Sequence, residues 1–241
     1  MTTIQKREGF TLIELLTVIT IIAILAGLSV PVYNSVREKA SLAETSNNAR
    51  QIVMALKVYA SDEGNGSFVK AKYNFDGEAE GPIASANEAY RTLINLGYLD
   101  TESIFASANS LARPDDNISS SADVLADVNP EGAPENHWGY TKGLTDSSPS
   151  RFPLVWENSV GDPGDNPEWD PAKAGTEEPG RTWSGGKIMI GFADGSAKTK
   201  RTAKRDEQSP LRNENGPQTI FEEMTANSRT VSLFNPEGLD L

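Results

Sequence analysis

With 241 residues, the chain has room for one membrane segment and one globular domain, and is too short for a second comfortable core. It has no cysteine and a single histidine, His137, which excludes disulfides, thiolate metal sites, cysteine nucleophiles and every mechanism that needs two imidazoles. The formal charge is −12, and residues 63–241 alone carry 29 acidic against 16 basic side chains, a surface that repels phosphate backbones and argues against nucleic acid as a partner.

From Gly9 to Val36 the chain reads GFTLIELLTVITIIAILAGLSVPVYNSV, and Glu14 is its only formal charge. The apolar part, about 22 residues, spans about 33 Å as a helix, close to the thickness of a bilayer's hydrocarbon core. Lys6 and Arg7 before it favour a cytoplasmic N-terminus, while Arg37 and Lys39 beyond it pull the other way. The core of a secretory signal peptide is usually shorter and ends in a small-x-small site. A plain anchor gives no reason for Glu14, since an acidic group at depth costs roughly 2.5–3.5 kcal/mol even on lenient scales. A buried helix of a soluble protein fits least, because no comparable apolar partner segment follows.

The stretch Lys6-Arg7-Glu8-Gly9-Phe10-Thr11-Leu12-Ile13-Glu14 resembles the cleavage and methylation signal of type IV pilins and of the pseudopilins of type II secretion. The resemblance covers about the first sixty residues. It implies a leader, residues 1–9, removed by a prepilin peptidase between Gly9 and Phe10, with N-methylation of Phe10. It also implies that Glu14 directs assembly by meeting the new terminal amine of a neighbouring subunit, and Pro31 matches a proline common in the family's helix. The implied setting is the bacterial inner membrane, crossed once with a cytoplasmic N-terminus and an extracytoplasmic head, followed by a periplasmic or surface filament. Partners are then like or related subunits, the peptidase, inner-membrane assembly machinery and lipid. Physics supplies a reason for the pattern: the amine of Phe10 lies about 6 Å along the helix axis from Glu14, and pairing a carboxylate with an amine removes its cost in lipid while selecting one axial register.

Beyond Pro31 a helical period persists through Val32, Val36, Ala40 and Ala43, then Ile52, Val53, Leu56 and Tyr59, with charges between them. This half is amphipathic and is expected to pack one face on a head. Asp62-Glu63-Gly64-Asn65-Gly66 stops it. The expected helix is thus 10–62, about 80 Å long, with residues of about 10–32 in the membrane. Pro31 removes a backbone hydrogen bond just after Gly27 and Ser29, so it either kinks the helix or is merely tolerated there.

Residues 63–241 form the expected head. Ala89, Tyr90, Leu93, Ile94 and Leu96 predict a helix over 86–97, and Ser103-Ile104-Phe105-Ala106 reads as a short strand. Residues 111–180, with 14 acidic and 4 basic side chains, read mostly as loop, interrupted by a strand at 151–156 whose proline suggests a sheet edge. Lys187–Phe192 and Ala197–Lys200 flank an Asp194-Gly195 turn and predict a hairpin. The expected fold class is therefore α+β, a long N-terminal helix packed on a small antiparallel sheet. Ser184-Gly185-Gly186 and Phe192-Ala193-Asp194-Gly195-Ser196 also resemble the C-terminal segment of pilin-like proteins of planctomycetes and verrucomicrobia. Members of that group often carry head cysteines and a histidine near the place of Trp183, and this chain has neither.

Two clusters remain. Residues 161–170 concentrate carboxylates, and they read first as a solvated acidic loop and second as a calcium site at Asp162, Asp165, Glu168 and Asp170, since major pseudopilins often fasten a head loop with that ion. Lys198, Lys200, Arg201, Lys204 and Arg205 read first as a solvated strand end, then as a contact to a neighbouring subunit's acidic loop, and last as a contact to DNA. No Gly-x-Ser-x-Gly elbow, phosphate loop, dinucleotide fingerprint or His-Glu-x-x-His occurs, so no enzymatic role is expected. The leading expectation is a structural filament subunit; the alternative is a membrane-anchored binding or enzymatic head that uses the helix only as a tether.

Overall fold

The computed structural model describes residues 10–108, 110–212, 219–227 and 231–237. The architecture is α+β: a long N-terminal helix, α1 (Leu12–Asp62), then a region built on a small antiparallel sheet. The chain divides into two compact units, one ending at Ala40 and the other beginning at Ser41.

In the first unit every described side chain from Phe10 to Arg37 is exposed, among them Leu12, Ile22 and Val30. This part of α1 is long and apolar enough to cross a membrane. Its hydroxyls are turned back onto the helix: Thr17 Oγ1 donates to Glu14 O at 2.9 Å, Thr20 Oγ1 to Leu16 O at 2.8 Å and Ser29 Oγ to Leu25 O at 2.7 Å. Such bonds satisfy polar groups that hydrocarbon would leave unpaired.

In the second unit α1 buries a stripe at steps of three and four: Thr45, Ala49, Ile52, Val53, Leu56, Tyr59 and Ala60. The expected stripe also ran back through Val32, Val36, Ala40 and Ala43, but these are exposed and burial begins only at Thr45. The helix ends as expected. Gly64 N donates to Tyr59 O at 2.9 Å and Gly66 N to Ala60 O at 2.8 Å, and a Cβ on Gly64 would meet Ser67 O at 2.1 Å.

Two short strands, β1 (Ala71–Tyr73) and β2 (Ala79–Pro82), form a ribbon ahead of α2 (Ala86–Asn95). Ser85 caps α2 by accepting from Glu88 N at 3.2 Å, while Glu88 Oε2 accepts from Ala84 N at 2.6 Å. The expected strand at 103–106 is instead a 3-10 turn, Ser103–Phe105. Phe105 N donates to Glu102 O at 2.8 Å, the short-range bond of a turn, and Ile104 and Phe105 are both buried.

The main sheet holds β3 (Trp138–Lys142), β4 (Pro153–Glu157), β6 (Lys187–Phe192), β7 (Ala197–Arg201) and β9 (Ser232–Phe234), in the order β7-β6-β4-β3-β9 and antiparallel throughout. A two-residue pair, β5 (Glu168–Trp169) with β8 (Ser209–Pro210), a 3-10 turn at Pro171–Lys173 and a helix α3 (Ile220–Asn227) complete the described elements. The hairpin of β6 and β7 matches expectation, with Gly195 at φ 91° in its turn. β4 is central rather than an edge, and Pro153 is tolerated because it opens the strand. Helix α1 lies so close to β6 that a Cβ on Gly191 would sit 2.6 Å from Val53 Cγ2. Trp138, Trp156, Trp169 and Tyr140 fill the core beside the sheet, with Trp156 edge-on to Phe221 at 5.3 Å between ring centroids.

Candidate functional site

The site begins where α1 begins. Thr11 precedes the helix, and Glu14 sits in its first turn. Glu14 Oε2 accepts from Thr11 N at 2.8 Å and from Thr11 Oγ1 at 2.7 Å, and Glu14 N donates to Thr11 Oγ1 at 3.3 Å. This is a reciprocal capping box: two donors at the open end of the helix find acceptors, and a negative charge stands at the positive end of the helix dipole. Glu14 Oε1 has no hydrogen-bond partner among the described residues. Among the described residues the carboxylate is thus held through one oxygen. Thr11-Leu12-Ile13-Glu14 carries the Ser/Thr-x-x-Glu signature of such a cap, so this second role of Glu14 was present in the sequence although the charge argument alone did not use it.

Phe10 is 79% exposed just ahead of the cap, whereas Gly9 lies outside the described residues. Pro31 lies within α1, whose helical assignment is continuous from Leu12 to Asp62.

The acidic loop is not gathered around one point. Asp162 Oδ1 accepts from Gly164 N at 3.1 Å, Glu168 Oε2 from Gln208 Nε2 at 2.8 Å and Asp170 Oδ1 from Ala172 N at 2.9 Å. Among the described residues no three of Asp162, Asp165, Glu168 and Asp170 bring their oxygens together. In the basic cluster, Lys198 and Arg201 are exposed on β7, an edge of the sheet, and Lys204 pairs with Glu207 at 2.7 Å. Exposed cations there discourage further strands from adding to the edge.

Sequence reasoning missed a buried polar network. His137 and Glu157 are each 1% exposed and Arg181 is 2% exposed. The Glu157 carboxylate accepts from Trp183 Nε1 at 2.9 Å and from Met189 N at 2.7 Å, contacts His137 Nε2 at 3.2 Å and lies 3.6 Å from Arg181 Nη2. The guanidinium of Arg181 in turn stacks over Trp183, 4.8 Å from its ring centroid. Burial pushes the Glu157 carboxyl up, but the bond from His137, the Arg181 charge and the Met189 N–H outweigh it and hold the group below its ordinary range. Burial holds His137 below its ordinary value, so the imidazole is neutral. His137, Glu157 and Arg181 lie 20 or more positions apart, so no local pattern links them.

With this geometry in hand, comparison with known proteins addresses the N-terminal segment. Residues 4–30 match the prokaryotic N-terminal methylation motif. The chain is also similar to the fimbrial protein EcpC of Eikenella corrodens, 36% identical over 86 residues that make up 36% of this chain and 52% of that protein. The chain thus spans about half the length of the curated relative it matches. No solved structure matches. The comparisons thus show an N-terminal methylation motif and a likeness to a fimbrial protein over about a third of this chain.

Proposed function

We propose that this protein is a structural, non-enzymatic subunit of a type II secretion or type IV pilus filament, anchored by α1 in the bacterial inner membrane with a cytoplasmic N-terminus. In this reading a prepilin peptidase cuts between Gly9 and Phe10, Phe10 is methylated, and the inner-membrane assembly machinery draws the subunit into a filament of like or related subunits. The observation that carries the reading is the Glu14 carboxylate in the otherwise uncharged apolar stretch of α1, held by Thr11 through Oε2, with no partner to Oε1 among the described residues. The amine of a neighbour's Phe10 is a cation of the right charge to complete it, and lipid makes any other fate of that oxygen costly. The exposed apolar surface from Leu12 to Val36 is covered first by lipid and then by the same surface of other subunits. Pro31 then acts as a kink that lets the helix bend as it leaves the bilayer.

The test is Glu14→Gln in the native host. Membrane insertion and cleavage are retained, as followed by fractionation and by mass spectrometry of a mature N-terminus at Phe10, while sheared filaments fall at least about tenfold. Normal filaments from this variant would instead favour a helix used only as a tether.

A further inference from the structure

The pattern Asn-x-Ser/Thr, with x other than proline, lets the amide nitrogen of an asparagine take an N-linked sugar in a chain exported from the cytoplasm. It occurs twice in this sequence, at Asn65-Gly66-Ser67 and at Asn117-Ile118-Ser119. Both stretches even carry an acidic residue two positions ahead of the asparagine, Glu63 and Asp115, so sequence alone does not separate them.

The fold does. Asn65 has a φ of 47° inside the turn that stops α1, where Gly66 N donates to Ala60 O at 2.8 Å and Ser67 N to Gly64 O at 2.9 Å. Gly64 and Phe68 are buried on either side, so presenting this asparagine to an enzyme means undoing the helix stop. Asn117 stands outside helix and strand in a run, residues 115–120, that is exposed throughout. Its Oδ1 accepts from Ser119 Oγ at 2.7 Å and from Ser119 N at 3.4 Å, while its own backbone N donates to Asp115 Oδ1 at 2.8 Å. Asp123 Oδ2 lies 3.1 Å from the same hydroxyl but already accepts from Ser120 Oγ at 2.6 Å, which leaves the Ser119 proton to Asn117. Asn117 Nδ2 has no hydrogen-bond partner among the described residues. The serine of the pattern thus holds the carbonyl side of the amide and leaves the nitrogen to solvent.

We propose that Asn117, and not Asn65, carries an N-linked oligosaccharide received from a lipid-pyrophosphate carrier. Nδ2 forms a bond to the anomeric carbon of the sugar, the bond from that carbon to the pyrophosphate oxygen breaks, and the lipid pyrophosphate leaves with the electron pair. One Nδ2 proton passes to a base of the transferase, so the product is a neutral secondary amide. The attached sugar shields Ile118, an apolar side chain left exposed beside it. The assignment rests on the proposed function, which puts the head outside the cytoplasm, on the face of the membrane where such a carrier presents its sugar.

The full chain is extracted in detergent from membranes of the native host, weighed intact and mapped by peptide fragmentation that keeps side-chain modifications attached. The expected result is a mass above that of the polypeptide, with sugar-bearing fragments at Asn117 and bare ones at Asn65. Asn117→Gln and Ser119→Ala are each expected to lose the added mass, while Ser119→Thr, which keeps the hydroxyl, and Asn65→Gln retain it. Protease added to spheroplasts reports separately whether the head lies outside. A head that is digested there while Asn117 is bare overturns this assignment and leaves the proposed function standing; a protected head with Asn117 bare overturns both. A sugar on Asn65 in place of Asn117, or an added mass that survives Asn117→Gln, also overturns it.

Discussion

Residues 12–37 and 45–60 belong to one helix and follow opposite rules. In the first stretch leucines, isoleucines and valines stand on every side and all are exposed; in the second Ile52, Val53 and Leu56 form one buried stripe, and Val58 alone of that kind stays exposed. A helix that is apolar all round needs a surrounding medium, whereas an amphipathic one needs a single partner surface. The first stretch therefore contributes little to the stability of the head, and in the proposed function it serves membrane residence and assembly. The second does the reverse.

The largest expected effect on the head side comes from the buried network. Glu157→Ala leaves the Arg181 guanidinium buried without its anion and Trp183 without its acceptor, and is expected to destabilise by about 3–5 kcal/mol in denaturant unfolding monitored by tryptophan fluorescence. Leu56→Ala, fully buried, should cost about 2–5 kcal/mol in the same assay. Ile22→Ala, 60% exposed, should cost the head less than about 0.5 kcal/mol. Equal losses from these two would erase the contrast between the two stretches. Acid gives a graded version. Because the folded value of Glu157 is held below its ordinary 4.5, its contribution is present above that pH and fades as pH falls below it toward the folded value. An acid unfolding series should show this limb, and Glu157→Gln should lack it. Ser85→Ala, which removes the α2 cap, should cost roughly 0.5–2 kcal/mol, less than the two core changes and more than Ile22→Ala, without altering membrane partition.

Much was legible because the signals are local. Helix α1 and its stop at Gly64, helix α2 and the Asp194-Gly195 hairpin follow from periodicity and turn chemistry within a dozen residues. β3 was not legible: Trp-Gly-Tyr-Thr-Lys is short, sits in acidic loop, and Gly139 reads as a breaker. Only the fold shows that a Cβ on Gly139 would strike the Trp156 indole, 2.4 Å from Nε1, so that the glycine is what lets the ring cross there. The 3-10 turn at Ser103–Phe105 misled for a related reason, since four apolar-rich residues carry no period long enough to separate turn from strand.

The order of residues alone determined that an apolar N-terminal helix with a carboxylate near its start precedes an acidic, cysteine-free α+β head, because charge, hydropathy and helical period are properties of neighbours along the chain. Tertiary structure decided where burial on α1 starts, that Pro153 stands in a central strand, and that Glu157 comes together with His137 and Arg181. Those facts depend on segments far apart in sequence being forced into one small volume, where close packing and the cost of buried charge, rather than local propensity, choose the neighbours.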